Sequence, residues 1–169
     1  MNKLVRQTVA FLSLLFTTAH FAEAQECKVL REQDLFTHQI KLSSGFFDLT
    51  GASVTVDADK KEIDLLFSFK TDRCFDDGCS ATVYFAGTKS KLLLRNAGTM
   101  NCEGLFHFIF RNGTTVNYQL KKMATTAVSQ IVFTDRDQKL IPVNLDEPQQ
   151  RAFMKALQCV TDEAVKLLQ

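Results

Sequence analysis

The stretch from Gly104 to Leu120 constrains the fold most: Phe106, Phe108 and Phe110 stand at alternate positions, followed by Asn112-Gly113 and then Val116, Tyr118 and Leu120. Successive side chains of a strand point to opposite faces, so the three phenylalanines make one apolar side. Asn-Gly between two apolar runs is a hairpin signal. A loop over Arg111, Asn112 and Gly113, with Gly113 left-handed, would set Phe110 against Thr114, Phe108 against Val116 and Phe106 against Tyr118. A loop of Asn112 and Gly113 alone would oppose the phenylalanines to Thr115, Asn117 and Gln119, and such a slip turns every side chain over. The first register gathers the bulky groups and is the expected one. His107 alternates with the phenylalanines and faces away from them.

Other strands are read around this hairpin. A short strand is expected near residues 38–43, after a lead-in from Cys27, and Gly45 ends it. Residues 53–57 alternate like a strand, a charged turn follows at Asp57 to Glu62, and residues 63–69 form the next strand. Residues 81–85 and 91–95 flank a turn at Ala86-Gly87-Thr88 and repeat the shape of the central hairpin. Strands are also expected at 127–133 and 139–144. Pro142 lacks an N–H for a ladder, which puts the last strand at an edge or at a bulge.

After Asn144 the period changes. Asp146 and Pro148 suit a helix start, and Phe153, Leu157, Val160, Ala164 and Leu168 recur at helical spacing. This predicts a helix over about residues 147–168 whose stripe lies on the sheet. Cys159 falls outside the stripe, where it can pin the helix to a neighbouring segment, with Cys27 the first candidate partner.

Lys3 and Arg6 precede an apolar run from Val9 to Phe16, and Ala22-Glu23-Ala24 follows. This is the pattern of a secretory signal peptide over residues 1–24, cleaved after Ala24. Its apolar centre is shorter than the roughly 20 residues a membrane span needs. Residues 25–169 then form a single β-rich domain with its C-terminal helix, in a secreted or periplasmic product with no integral span. With 20 basic and 19 acidic residues overall, two and one of them in the leader, the exported chain is electrically balanced. Such a balance gives no pull toward phosphate backbones, so nucleic acid is not an expected partner. There are 15 phenylalanines and no tryptophan, and that richness in Phe favours sheet.

The exported part holds Cys27, Cys74, Cys79, Cys102 and Cys159. Export favours disulfides, the odd number leaves at least one without an intramolecular partner, and spacing does not set the connectivity. Nucleophile elbows, zinc-binding histidine pairs and phosphate loops are absent from the sequence, so no catalytic residue, metal or cofactor is expected. Cys74 and Cys79 stand too far apart for a usual zinc pair. Asp72, Asp76 and Asp77 read as a solvated turn, and Asn112-Gly113-Thr114 is formally a glycosylation acceptor.

The segments Asp34 to Thr37, Cys74 followed by Gly78 and a strand, Asn101 to Gly104, and Asn144 to Glu147 with Cys159 in the final helix carry a resemblance. On them the chain resembles uncharacterised secreted β-rich proteins of the Bacteroidota. The resemblance brings no activity or ligand. It implies that Cys27, Cys74, Cys102 and Cys159 form the disulfide framework and that Cys79 is the odd one, although Cys79 stands close enough to Cys74 to take its place.

The expected fold is α+β: an antiparallel, mainly meander sheet of roughly seven to nine strands with one C-terminal helix packed on it. A closed lipocalin-like barrel with its helix is the alternative. The expected function is that of a non-catalytic protein binding a protein or surface partner through sheet edges or loops. A carrier of a small apolar ligand in a Phe-lined cavity between sheet and helix is the second reading, and a hydrolase using carboxylates at Asp72 to Asp77 the third.

Overall fold

The computed structural model describes residues 28–70 and 73–169. The expected signal peptide over residues 1–24, Cys27 and Asp72 lie outside the described residues. The fold is α+β as expected, with ten strands among the described residues divided between two antiparallel sheets.

The larger sheet contains β1 (Leu30–Gln33), β2 (Ile40–Ser43), β3 (Phe47–Leu49), β4 (Ala52–Ala58), β5 (Glu62–Ser68) and β8 (Leu105–Arg111). Their order is β1-β2-β4-β5-β8. β2 pairs with the end of β4 and β3 with its beginning, so the two are halves of one interrupted strand. Gly45 sits at the interruption with φ of 69°, a conformation that costs glycine little. The smaller sheet runs β10-β9-β6-β7, from β6 (Ser80–Phe85), β7 (Lys91–Arg95), β9 (Val128–Thr134) and β10 (Leu140–Asn144). β10, with Pro142, is an edge strand. Neither sheet closes on itself, which removes the barrel alternative.

The central hairpin is not formed. Its first half is β8, but the partner is β5: Phe106 faces Phe67, Phe108 faces Leu65 and Phe110 faces Ile63. Its second half is a helix, α1 (Tyr118–Thr125), capped by Asn117, whose carboxamide oxygen accepts from Gln119 N–H at 2.8 Å. Gln, Leu, Lys, Met and Ala are good helix formers. Leu120, Met123 and Ala124 recur one turn apart and are buried. Gly113 is not left-handed, and Asn112 is buried. The Asn112 amide nitrogen donates to the Asp59 and Ala164 carbonyls, each at 2.8 Å. The supposed turn is therefore a junction of β8, the β4–β5 turn and the C-terminal helix.

That helix, α2 (Glu147–Lys166), begins as expected. The Asp146 carboxylate accepts from Gln149 N–H, the Gln149 side chain accepts from Asp146 N–H, and Pro148 lies in the first turn. α2 packs against α1, β2, β4 and β9. The buried sector is wider than the expected stripe and includes Cys159 and Thr161 in addition to Phe153, Leu157, Val160 and Ala164.

Phenylalanines join the layers. Phe133 of β9 lies 4.9 Å from Phe69, 5.0 Å from Phe67, 5.0 Å from Phe106 and 6.1 Å from Phe108, ring centre to ring centre. Phe153 of α2 meets Phe67 at 6.2 Å. Edge-to-face aromatic pairs contribute roughly 0.5–1.5 kcal/mol each beyond burial. These rings pack on one another across the sheet and helix interfaces.

Candidate functional site at the first hairpin

Cys74 and Cys102 are joined in a disulfide across 28 residues. Closing a loop of that length stabilises by about 3–4 kcal/mol through the unfolded chain. Between the two cysteines, Phe75 and Asn101 exchange backbone hydrogen bonds at 2.8 and 2.9 Å. Cys79 is free and buried. Its thiol donates to Asp76 Oδ1 at 3.3 Å, and burial, seconded by the Asp76 carboxylate, pushes its pKa up. A protonated thiol is a poor nucleophile. Cys159 is disulfide-bonded, while Cys27, the partner suggested for it, lies outside the described residues.

Asp76 Oδ1 also accepts from Gly78 N–H at 3.0 Å, and its other oxygen stands 3.6 Å from Arg136 Nε. This carboxylate holds the turn around Cys79. Nearby, the buried Asp135 carboxylate takes Arg73 Nη1 at 2.8 Å and Lys139 N–H at 2.8 Å. Burial alone would raise its pKa, but the backbone donors and Arg73 outweigh it and hold the group below the usual carboxylate range. The formal glycosylation acceptor Asn112 is 5% exposed. Both of its amide hydrogens point at carbonyls, so the nitrogen is closed to modification in the folded chain.

His107 faces away from the core, as its alternation implies, and Nδ1 lies 2.8 Å from Asp64 Oδ2. The hydrogen bond to Asp64 raises its pKa, against burial. The segment after β7 lies alongside it. Ala97 N–H donates to the His107 carbonyl at 3.0 Å, and Asn96 Oδ1 accepts from His107 N–H at 2.8 Å. A Cβ on Gly98 would stand 2.7 Å from the imidazole Cδ2, so only glycine lets this segment approach the ring.

The sequence reading missed β1 and what lies at its end. β1 and β2 form a hairpin in the register Leu30 to Ser43 and Gln33 to Ile40. Its loop is braced by Asp34, whose Oδ1 accepts from Phe36 N–H at 2.9 Å, Thr37 N–H at 2.6 Å and the Thr37 hydroxyl at 2.9 Å. Thr37 and Phe36 hold the Asp34 pKa below its ordinary value. The Asp34 backbone bonds to both His38 and Gln39, and His38 turns the chain at φ of 55°. On this braced loop Leu35 is 84% exposed and Phe36 93%.

Beside the loop lies a groove of about 460 Å³ whose walls carry Glu32, Asp34, Asp57, Asp59, Glu62 and Asp64 against a single Lys41. Asp57 and Asp64 are directly opposed across β4 and β5, an arrangement that is repulsive between like charges. Each is answered on its far side. Asp57 accepts from the Ser43 and Thr55 hydroxyls at 2.5 and 3.0 Å, with Lys41 at 3.6 Å, and Asp64 has His107. Asp64 Oδ1 is buried without a hydrogen-bond partner among the described residues. A signal was present: Asp57 and Asp59, then Glu62 and Asp64, alternate on two strands joined by a turn, which sends all four to one face.

The site thus sits on the outer side of an α+β protein with two antiparallel sheets. No family model, curated protein or solved structure matches the chain.

Proposed function

We propose that the chain is a non-catalytic binding protein, secreted or periplasmic, that docks a protein partner through the β1–β2 hairpin. The carrying observation is the loop tip, where Leu35 and Phe36 are held out in water by the hydrogen bonds of Asp34. Large apolar side chains presented to solvent on a braced backbone gain the full hydrophobic contribution on contact and need little further ordering of the backbone, which is the property of an interface anchor. Export is supported by the leader pattern and by the Cys74–Cys102 disulfide, a bond favoured in oxidising compartments. Among the described residues no helix is long and apolar enough to cross a membrane. A carrier role has less support, since the phenylalanines that motivated it are packed against each other. The hydrolase role loses Asp76 to its turn.

The test is site-specific photo-crosslinking in the producing cells with a benzoylphenylalanine probe at position 36, and at the exposed Leu93 as control. A discrete adduct at position 36, absent at 93 and lost on Leu35→Ser, is expected. Equal labelling at both positions, or none at position 36, removes the reading.

A further inference from the structure

We infer, resting on the hairpin reading, that the partner presents an extended basic segment with lysine or arginine at alternate positions beside an apolar residue. The sign of the charge comes first. Six carboxylates and one lysine line the groove next to Leu35 and Phe36, while the chain as a whole is nearly neutral. Arg111 opposite Glu62 and His107 on Asp64 offset part of this charge, but the carboxylates remain in excess on this face, and a cationic partner is drawn to the hairpin rather than to the molecule at large.

Geometry then selects the kind of cation. Among the described residues no three His, Cys, Asp or Glu side chains are placed to hold one metal ion. The acids are spread out instead, with Asp57 opposite Asp64 and Asp59 and Glu62 one alternation further along. Neighbours in such a grid stand about 5 Å apart across the strands and about 7 Å apart along them. An extended peptide repeats its side chains on one face at the same interval of about 7 Å, so ammonium or guanidinium groups at alternate positions match the row. Nucleic acid and anionic lipid carry the opposite sign. The apolar tip, carried between Asp34 and Thr37 of the groove wall, supplies the desolvated contact that charge pairs at a wet surface lack.

Fluorescence anisotropy of the purified, disulfide-bonded protein tests this with a short labelled peptide alternating lysine and serine around one leucine, against its glutamate counterpart. Phosphatidylglycerol vesicles form a further arm. Expected is saturable binding of the lysine peptide only, weakening as salt rises, and about tenfold weaker in both Glu32→Gln/Glu62→Gln and Leu35→Ser/Phe36→Ser. Glu32 and Glu62 are exposed and their side chains make no hydrogen bond among the described residues, so the first variant leaves the structure in place. Equal binding of the two peptides, unchanged affinity in Glu32→Gln/Glu62→Gln, or preference for the vesicles overturns the proposal. If crosslinking from position 36 persists beside such a result, the hairpin still docks a partner but the partner is not basic. If both fail, the docking reading falls as well.

Discussion

His107 shows how one residue can be half legible. Alternation placed its ring on the outer face, but Asp64 lies far away in sequence, and only the pairing of β5 with β8 brings the two within 2.8 Å. Since the folded pKa is raised above about 6.5, the stabilisation is complete below that pH and is lost as pH rises through the raised value. Thermal melting at about pH 5.5 and about pH 9 is therefore expected to show a stability loss on the alkaline side that Asp64→Asn flattens. A slope unchanged by Asp64→Asn would assign it elsewhere. Asn112 shows the opposite failure. Asn-Gly is a sound local turn signal, but the carbonyls of Asp59 and Ala164 compete for that side chain, and a long-range contact of this kind leaves no trace in a short window.

Elements whose identity rests on their own period were the most readable. α2 announces itself by a cap, a first-turn proline and a long stripe, and its structured span of Glu147–Lys166 falls within the expected one. Replacing Asp146 with Ala is expected to cost about 1 kcal/mol, read from the urea midpoint at unchanged slope. α1 was misread because eight residues hold barely two helical turns, and Val116, Tyr118 and Leu120 fit alternation as well as they fit a helix start. The discriminating sign was Asn117, a cap residue followed by a run of strong helix formers. β1 and β3 escaped notice for a different reason. They span four and three residues: all four of β1 are exposed, so it has no apolar alternation to display, and Phe47-Asp48-Leu49 of β3 alternates over too short a run to stand out. The acidic row was visible as residues but was read as a charged turn, because its meaning depends on two strands sharing a face.

At the scale of the whole molecule, composition and alternation gave the class of fold but could not assign strands to sheets. An inward-facing valine looks the same whichever sheet it belongs to. The division follows from the crossings between β5 and β6 and between β7 and β8, where the disulfide, the Phe75–Asn101 pairing and the Asn96 contacts tie the two sheets together. In that junction the free Cys79 stands five residues after Cys74, which is bridged to Cys102. In an unfolded chain the short span from Cys74 to Cys79 closes more readily than the 28-residue one to Cys102, so oxidation of the unfolded chain is expected to form the wrong bond first. The native bond then has to be reached by thiol–disulfide exchange, driven by the burial of Cys79 in its finished nest. The chain should accordingly depend on a disulfide isomerase where it matures, and Cys79→Ala should refold in a glutathione buffer faster and with fewer scrambled isomers by non-reducing peptide mapping.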